Sequence, residues 1–307
     1  MEKSIAAIWV ISDGKPGHMN QSLGLARALE NLRVARNPQR QAVEPRVVAA
    51  LSPLNALSMA LSKAAAPSPE KPAVLIAAGH RTHLTLLALK RATGVAAVVL
   101  MKPSLPLSWF DLCLIPEHDQ PPVRDNVVVT QGAINQMRAD TEKDIAGMML
   151  IGGSSDHYRW DENRLLAAIE RIAAAGDPWL LTTSRRTPAN FIGLLSSLAL
   201  ANVRIVPFAD TDAGWLAQTL PRVRSCWVTP DSVSMVYEAL TAECRVGLFD
   251  LEKKRDHRVV KGIDALVARG LVATFSHWCQ SGCLPQPATN FNEAQRCAAL
   301  VYDRLLK

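Results

Sequence analysis

The stretch WVISDGKPGHMNQSLGLARAL, residues 9–29, decides how the chain is read. It closes an apolar run, Ile5–Ile11, with the pattern of a buried parallel strand. Further on, Leu23, Ala26, Leu29 and Leu32 recur at helical spacing, so a helix is expected over Gln21–Leu32. Between strand and helix lie Asp13, Gly14, Lys15, Pro16, Gly17 and His18. Gly14 and Gly17 can take positive φ and let a ligand approach the backbone. Pro16 stiffens the turn, and the helix start offers open amides at the positive end of a dipole. Asp13 and His18 add groups able to exchange a proton near neutral pH. A tight structural turn before a capped helix would use the same residues. The turn is neither Gly-x-Gly-x-x-Gly nor a Walker loop, so a nicotinamide or ATP fingerprint is not supported.

Working outward, the strand–turn–helix rhythm repeats. Strands are expected at Val74–Ala78, Val95–Met101, Asp111–Ile115 and Val127–Thr130, with a helix through Ala92 after the first of them. A polar, charged connector follows at Gln136–Lys143, and the rhythm restarts. Strands are expected at Met148–Ile151, Trp179–Thr183, Val203–Pro207, Ser225–Thr229 and, last, Val246–Asp250. Helices are expected at Asp161–Ala175, Asn190–Leu200 and Ser232–Ala242. Such alternation implies parallel sheets covered on both faces. The chain is therefore read as α/β with two Rossmann-like domains, residues 1–140 and 141–290. The final helix, Asn292–Leu306, within 291–307, is expected to pack back on the first domain.

The totals fit that reading. The 307 residues are 49% hydrophobic, enough for full cores, and 34 Lys and Arg against 28 Asp and Glu leave a net charge of +6. The excess is local: residues 27–102 hold 11 basic and 3 acidic side chains, whereas 103–146 hold 3 and 7. A basic stretch suits an anionic partner, either a membrane surface or a nucleic acid, or is simply a solvated face. Leu54, Leu57, Leu61 and Ala64 form an apolar stripe inside it, readable as core packing or as a membrane contact. Six scattered cysteines with no leader pattern before the first strand suggest reduced, cytoplasmic thiols. The spacing of His277, Cys279 and Cys283 is wrong for zinc, and no metal site is expected. No apolar run reaches the roughly 20 residues of a membrane span.

Open parallel sheets bind ligands at the carboxyl ends of their strands, and every unusual loop falls at such an end. Gly79, His80, Arg81, Thr82 and His83 could hold an anion, or Thr82 could simply cap a helix. In the second domain Gly152, Gly153 and Ser154 offer flexible amides and a hydroxyl. Ser184, Arg185 and Arg186 offer a hydroxyl and two guanidinium forks suited to phosphate. Asp231, Ser232 and Ser234 open a helix where a diphosphate would meet amides and hydroxyls. Glu238, further along, could accept from ribose hydroxyls or else lie on a solvated face.

Four of these segments, WVISDGKPGHMNQSLGLARAL, LIGGSS, TTSRRTP and VTPDSVSMVYEAL, occur in an order that resembles the bacterial relatives of the plant elongated-mitochondria fission factor. The resemblance covers nearly the whole chain. It implies a GT-B-like fold, two Rossmann-like domains facing a central cleft, and a glycosyltransferase activity that in some members serves lipooligosaccharide outer-core assembly. The wider likeness to the lipid-linked GlcNAc transferase of peptidoglycan synthesis sets Gly14, Gly17 and His18 at that enzyme's Gly-rich loop. It sets Gly152 and Gly153 at its Gly-Gly turn, and Ser232, Ser234 and Glu238 at its ribose-binding helix. The pair Arg185 and Arg186 departs from that pattern and would serve the donor phosphates or an acidic sugar.

Together these readings imply a nucleotide-sugar donor on the second domain and an anionic glycolipid acceptor on the first. Asp13 or His18 would be the base. No cofactor, no metal and no nucleic acid are expected, and the contact with the cytoplasmic face of the inner membrane would be peripheral. The alternative is a non-catalytic membrane-associated interaction protein. A nucleotide-sugar epimerase, a chemistry expected to need a tightly bound nicotinamide and a Tyr-x-x-x-Lys pair, is excluded, because Tyr158, Tyr237 and Tyr302 are followed four residues on by Glu162, Thr241 and Leu306, never by Lys.

Overall fold

In the computed structural model, residues 6–61, 71–212, 214–255, 257–289 and 291–307 are described. The chain forms two units, Met1–Gln136 with Asn292–Lys307, and Met137–Phe291.

The first unit contains β1 (Trp9–Ser12), α1 (Pro16–Arg36), β2 (Arg46–Ala49), α2 (Pro53–Leu61), β3 (Leu75–Ala78), α3 (His83–Thr93), β4 (Ala97–Leu100), β5 (Leu112–Pro116) and β6 (Val127–Thr130). The six strands are parallel, in the order β2-β1-β3-β4-β5-β6. Alternation along β1 explains its burial on both faces. Val10 points into a core with Leu25 and Leu29 of α1, while Trp9 and Ile11 join Leu86 and Leu89 of α3 on the other side.

The second unit contains β7 (Ile145–Leu150), α4 (Glu162–Ala173), β8 (Trp179–Thr182), α5 (Ala189–Ser197), β9 (Val203–Val206), α6 (Trp215–Thr219), β10 (Val223–Val228), α7 (Val233–Thr241), β11 (Arg245–Leu248), α8 (Arg258–Ala268), β12 (Ala273–Thr274) and α9 (Phe275–Ser281). Its sheet is also six-stranded and parallel, in the order β12-β11-β10-β7-β8-β9. The last helix, α10 (Glu293–Leu305), belongs to the first unit. Its Cys297, Ala298 and Val301 share a core with Leu25 and Leu29 of α1.

In a parallel sheet the strand order reverses at one place, where flanking loops diverge and leave room for a ligand. The reversal falls between β1 and β3 in the first sheet and between β7 and β10 in the second.

Several elements differ from the sequence reading. Helix α1 begins at Pro16, five residues before the expected start, because proline is tolerated at the first helical position. Gly17 is therefore helical, and only Gly14 takes the positive φ expected of both, at +81°. The strands β2 and β12 were not anticipated, and Val246–Asp250 is not the last strand: β11 is followed by β12. The stripe Leu54, Leu57 and Leu61 is not core, since only Ala56 of α2 is buried. Ala64 of that stripe, like Ile5 of the first expected strand, lies outside the described residues. Among the described residues no helix is long and apolar enough to cross a membrane. All six cysteines are free thiols, and burial pushes Cys113 up to about 11 and Cys244 and Cys297 up to about 12.

Candidate functional site

At the reversal point of the first sheet, the turn after β1 brings Asp13 and His18 together. His18 Nδ1 lies 3.1 and 3.0 Å from the two carboxylate oxygens of Asp13, and the Lys15 amide donates to Asp13 Oδ1 at 3.2 Å. The Asp13 side chain is 1% exposed. Burial resists its ionisation, but the Lys15 amide, the His18 ring and the Lys15 charge outweigh that resistance. The carboxyl is held below its ordinary range. A carboxylate only accepts, so Nδ1 carries the proton on the Asp13 side, and Nε2 is the ring nitrogen turned away from that contact.

The tip of β3 completes this arrangement. Gly79 has φ +87°, and a Cβ there would sit 2.3 Å from His18 Cε1 and from Nδ1. The glycine thus serves both the backbone conformation and the close packing of the imidazole. Thr82 does not cap α3: its buried hydroxyl donates to the Gly79 carbonyl at 2.7 Å. Arg81 and His80 are exposed, while His83 is buried beside Ser104 Oγ and Phe110. Burial and the neighbouring His80 lower His83 to about 4, so it stays neutral.

At the reversal point of the second sheet, three strand tips lock together. After β7, the Gly152 amide donates to Thr229 Oγ1 at 2.7 Å and the Gly153 amide to Asp231 Oδ2 at 3.0 Å. Both partners come from the tip of β10. From the tip of β8, Arg186 Nη2 pairs with the same Asp231 Oδ2 at 2.8 Å, and its Nη1 donates to the Ser154 carbonyl at 3.2 Å. Ser184 Oγ donates to the Gly152 carbonyl at 2.9 Å. Thr187 Oγ1 donates to the Ile151 carbonyl at 3.1 Å and also to that of Gly152. A Cβ on Gly153 would lie 2.0 Å from the Arg186 carbonyl oxygen, which explains the glycine by close approach.

Asp231 is fully buried, and its Oδ1 has no hydrogen-bond partner. Burial raises its pKa against the pull of the Thr229 hydroxyl, the Gly153 amide and the Arg186 guanidinium.

This geometry reassigns several expected roles. Gly152 and Gly153 do not present free amides to a ligand: both are used inside the unit. Asp231 faces Gly153 and Arg186 and is therefore a fastener of the tips. The two arginines separate, because only Arg186 reaches the buried carboxylate. Arg185 points away, exposed, with its guanidinium 5.4 Å above the ring centre of Phe208. Phe208 was not singled out in the sequence. It lies two residues past the end of β9, its amide donates to Thr183 Oγ1 at 3.0 Å, and 41% of it is exposed. An aromatic placed one residue past a strand-ending proline was the available signal.

Helix α7 follows Asp231. Ser232 stands at its N-cap without a side-chain capping bond, and Ser234 is exposed in the first turn. Glu238 is buried, so the solvated-face alternative for it does not hold. Among the described residues no group of three His, Cys, Asp or Glu side chains could hold a metal ion.

Two all-parallel six-stranded sheets, each carrying its polar loops at the order reversal, define a GT-B-like α/β protein. A Listeria monocytogenes protein described as a UDP-N-acetylglucosamine 2-epimerase is similar, with a TM-score of 0.59 at 11% identity over 97% of this chain and 96% of that one. A second UDP-N-acetylglucosamine 2-epimerase gives 0.57 at 12% identity over 98% and 96%. The glycotransferase of kitacinnamycin gives 0.54 at 16% identity over 97% and 99%. At such identities these likenesses establish the fold. The chain belongs to the family described as mitochondrial fission ELM1, which matches residues 16–305. No curated protein matches its sequence.

Proposed function

We propose that the protein is a metal-independent glycosyltransferase that moves a sugar from a nucleotide-sugar to an anionic glycolipid, such as a lipooligosaccharide core. The observation that carries this reading is the Asp13–His18 pair. An ionised, buried carboxylate fixes the imidazole tautomer, and the free Nε2 is then a base for an acceptor hydroxyl. In this reading Asp13 is the positioning residue and His18 the base.

The donor belongs to the second unit. The open first turn of α7, with Ser232 and Ser234, receives the phosphates, and Arg185 supplies the cation that stabilises the leaving phosphate. Arg185 over Phe208 forms a flat, cationic platform suited to a base or sugar ring. Glu238 binds the ribose. Gly14 keeps the β1 tip open, and Gly152, Gly153, Ser154, Ser184, Arg186 and Asp231 hold the donor-side tips in place.

Screening nucleotide-sugars by thermal shift tests the reading. At least one donor should raise the melting temperature of the wild-type protein, and Arg185→Ala and Glu238→Ala should lose that rise. No stabilisation by any donor, or equal stabilisation of both variants, contradicts it.

A second reading has its own support. Two fold matches are described as 2-epimerases, and the missing Tyr-x-x-x-Lys pair excludes only an epimerase built on that pair. Product analysis of the stabilising donor decides: a new glycoside means transfer, whereas a changed sugar on the same nucleotide means epimerisation. Family membership also keeps a non-catalytic interaction role in view, and that role predicts neither product.

A further inference from the structure

Helix α2 follows the edge strand β2 of the first unit and turns its apolar side to solvent. Leu54 is 80% exposed, Leu57 57% and Leu61 73%, while only Ala56 is buried. The patch continues beyond the helix. Leu51 is 37% exposed, and its amide donates to Thr85 Oγ1 at 2.9 Å, which ties the start of α2 to the first turn of α3 beside the half-exposed Leu84. A soluble surface rarely leaves large apolar side chains clustered in this way without a partner.

The charges around the patch say which partner. Among the described residues from Arg46 to Trp109 there is no carboxylate, against Arg46, Lys71, Arg81, Lys90, Arg91 and Lys102. Lys90 is paired with Asp111 at 2.9 Å, and Arg46 lies over the Trp9 ring. Arg81 and Arg91, just before α3 and near its end, are exposed and make no ion pair among the described residues. Exposed leucines in a stretch whose described charges are all cationic match a surface that is apolar inside and anionic outside.

We propose that this face of the first unit docks on an anionic lipid surface, with Leu54, Leu57 and Leu61 entering the acyl boundary and Arg81 and Arg91 meeting headgroup phosphates. This goes beyond the transfer reading. Lipid binding is measured without nucleotide, and donor stabilisation without lipid, so either can fail alone.

The test is flotation of the full chain with vesicles of phosphatidylcholine, alone or mixed with phosphatidylglycerol. The wild-type protein should float with the mixed vesicles and not with the neutral ones. Leu54→Ser/Leu57→Ser/Leu61→Ser should lower the bound fraction about tenfold or more, because stable attachment needs both apolar and electrostatic terms. Arg81→Gln/Arg91→Gln, which leaves the apolar patch whole, should also weaken it and reduce its salt dependence. Absence of wild-type binding to the mixed vesicles overturns the proposal, as does binding that both variants retain. Self-association of the wild-type protein that the leucine variant abolishes, without lipid binding, overturns it too, and assigns the face to a second copy.

Discussion

Asp13 and Asp231 stand at the order reversals of the two sheets, each with its side chain removed from water, yet their chemistry diverges. Asp13 gains an amide and an imidazole within its own turn, and its ionised form wins over burial. Asp231 has an amide, a hydroxyl and a guanidinium near it, but one oxygen is left without a partner and burial wins. The same residue type at the same topological place thus serves two ends. In the first unit it orients an imidazole. In the second it fastens three strand tips on which other residues are presented.

The largest effect expected from breaking this contrast is in the first unit. His18→Ala should lower transfer by about 10²–10⁴-fold, the usual worth of a positioned base, and cost about 1–2 kcal/mol of stability, because the buried Asp13 carboxylate loses its imidazole partner. In the second unit Gly153→Ala should cost about 1–3 kcal/mol of stability, read by urea denaturation. Its Cβ would lie 2.0 Å from the Arg186 carbonyl oxygen, and the tips would have to separate.

Neutralising the two aspartates gives a smaller but sharper comparison. A lowered native pKa stabilises the fold above the unfolded carboxylate's pKa, and that stabilisation is lost as pH falls through the native value. A raised native pKa has the opposite sign: its penalty grows as pH rises from the ordinary value through the native one. Asp13→Asn should therefore lose about 1–2 kcal/mol at pH 7 and flatten the acid-side fall in stability. Asp231→Asn should stay within about 0.5 kcal/mol of wild type at pH 7 or exceed it, because the buried charge is gone and Arg186, 43% exposed, can be solvated. Denaturation curves from about pH 2 to 7 check both, the Asp13 effect below the ordinary carboxylate range and the Asp231 effect above it.

Much of the fold is legible in the sequence because parallel strands buried on both faces are short apolar runs, as at Leu75–Ala78 and Ala97–Leu100. The strands that escape notice are edges. Arg46–Ala49 is largely exposed, and Ala273–Thr274 is two residues long, so neither shows a run. The turn after β1 is legible as a site because glycine, proline and histidine cluster there. Its inner logic is legible too, since Asp13 and His18 are five residues apart. The fastening of the second unit is not, because Gly153, Arg186 and Asp231 come from three strand tips and meet only when the sheet order is known. For the same reason two adjacent arginines look like one phosphate fork in the sequence and have separate tasks in the fold.

The smallest structural change goes with the most direct functional test. Arg185→Ala should shift stability by less than about 0.5 kcal/mol, since among the described residues its exposed guanidinium meets only the exposed Phe208 ring. Calorimetric titration of a stabilising nucleotide-sugar into the wild-type protein, His18→Ala and Arg185→Ala measures whether the two reversal points divide their labour. The account predicts wild-type donor affinity with lost turnover for His18→Ala, and about tenfold weaker donor binding for Arg185→Ala, as expected for removal of one charged contact to phosphate. Loss of donor affinity in His18→Ala, or unchanged affinity in Arg185→Ala, would contradict it.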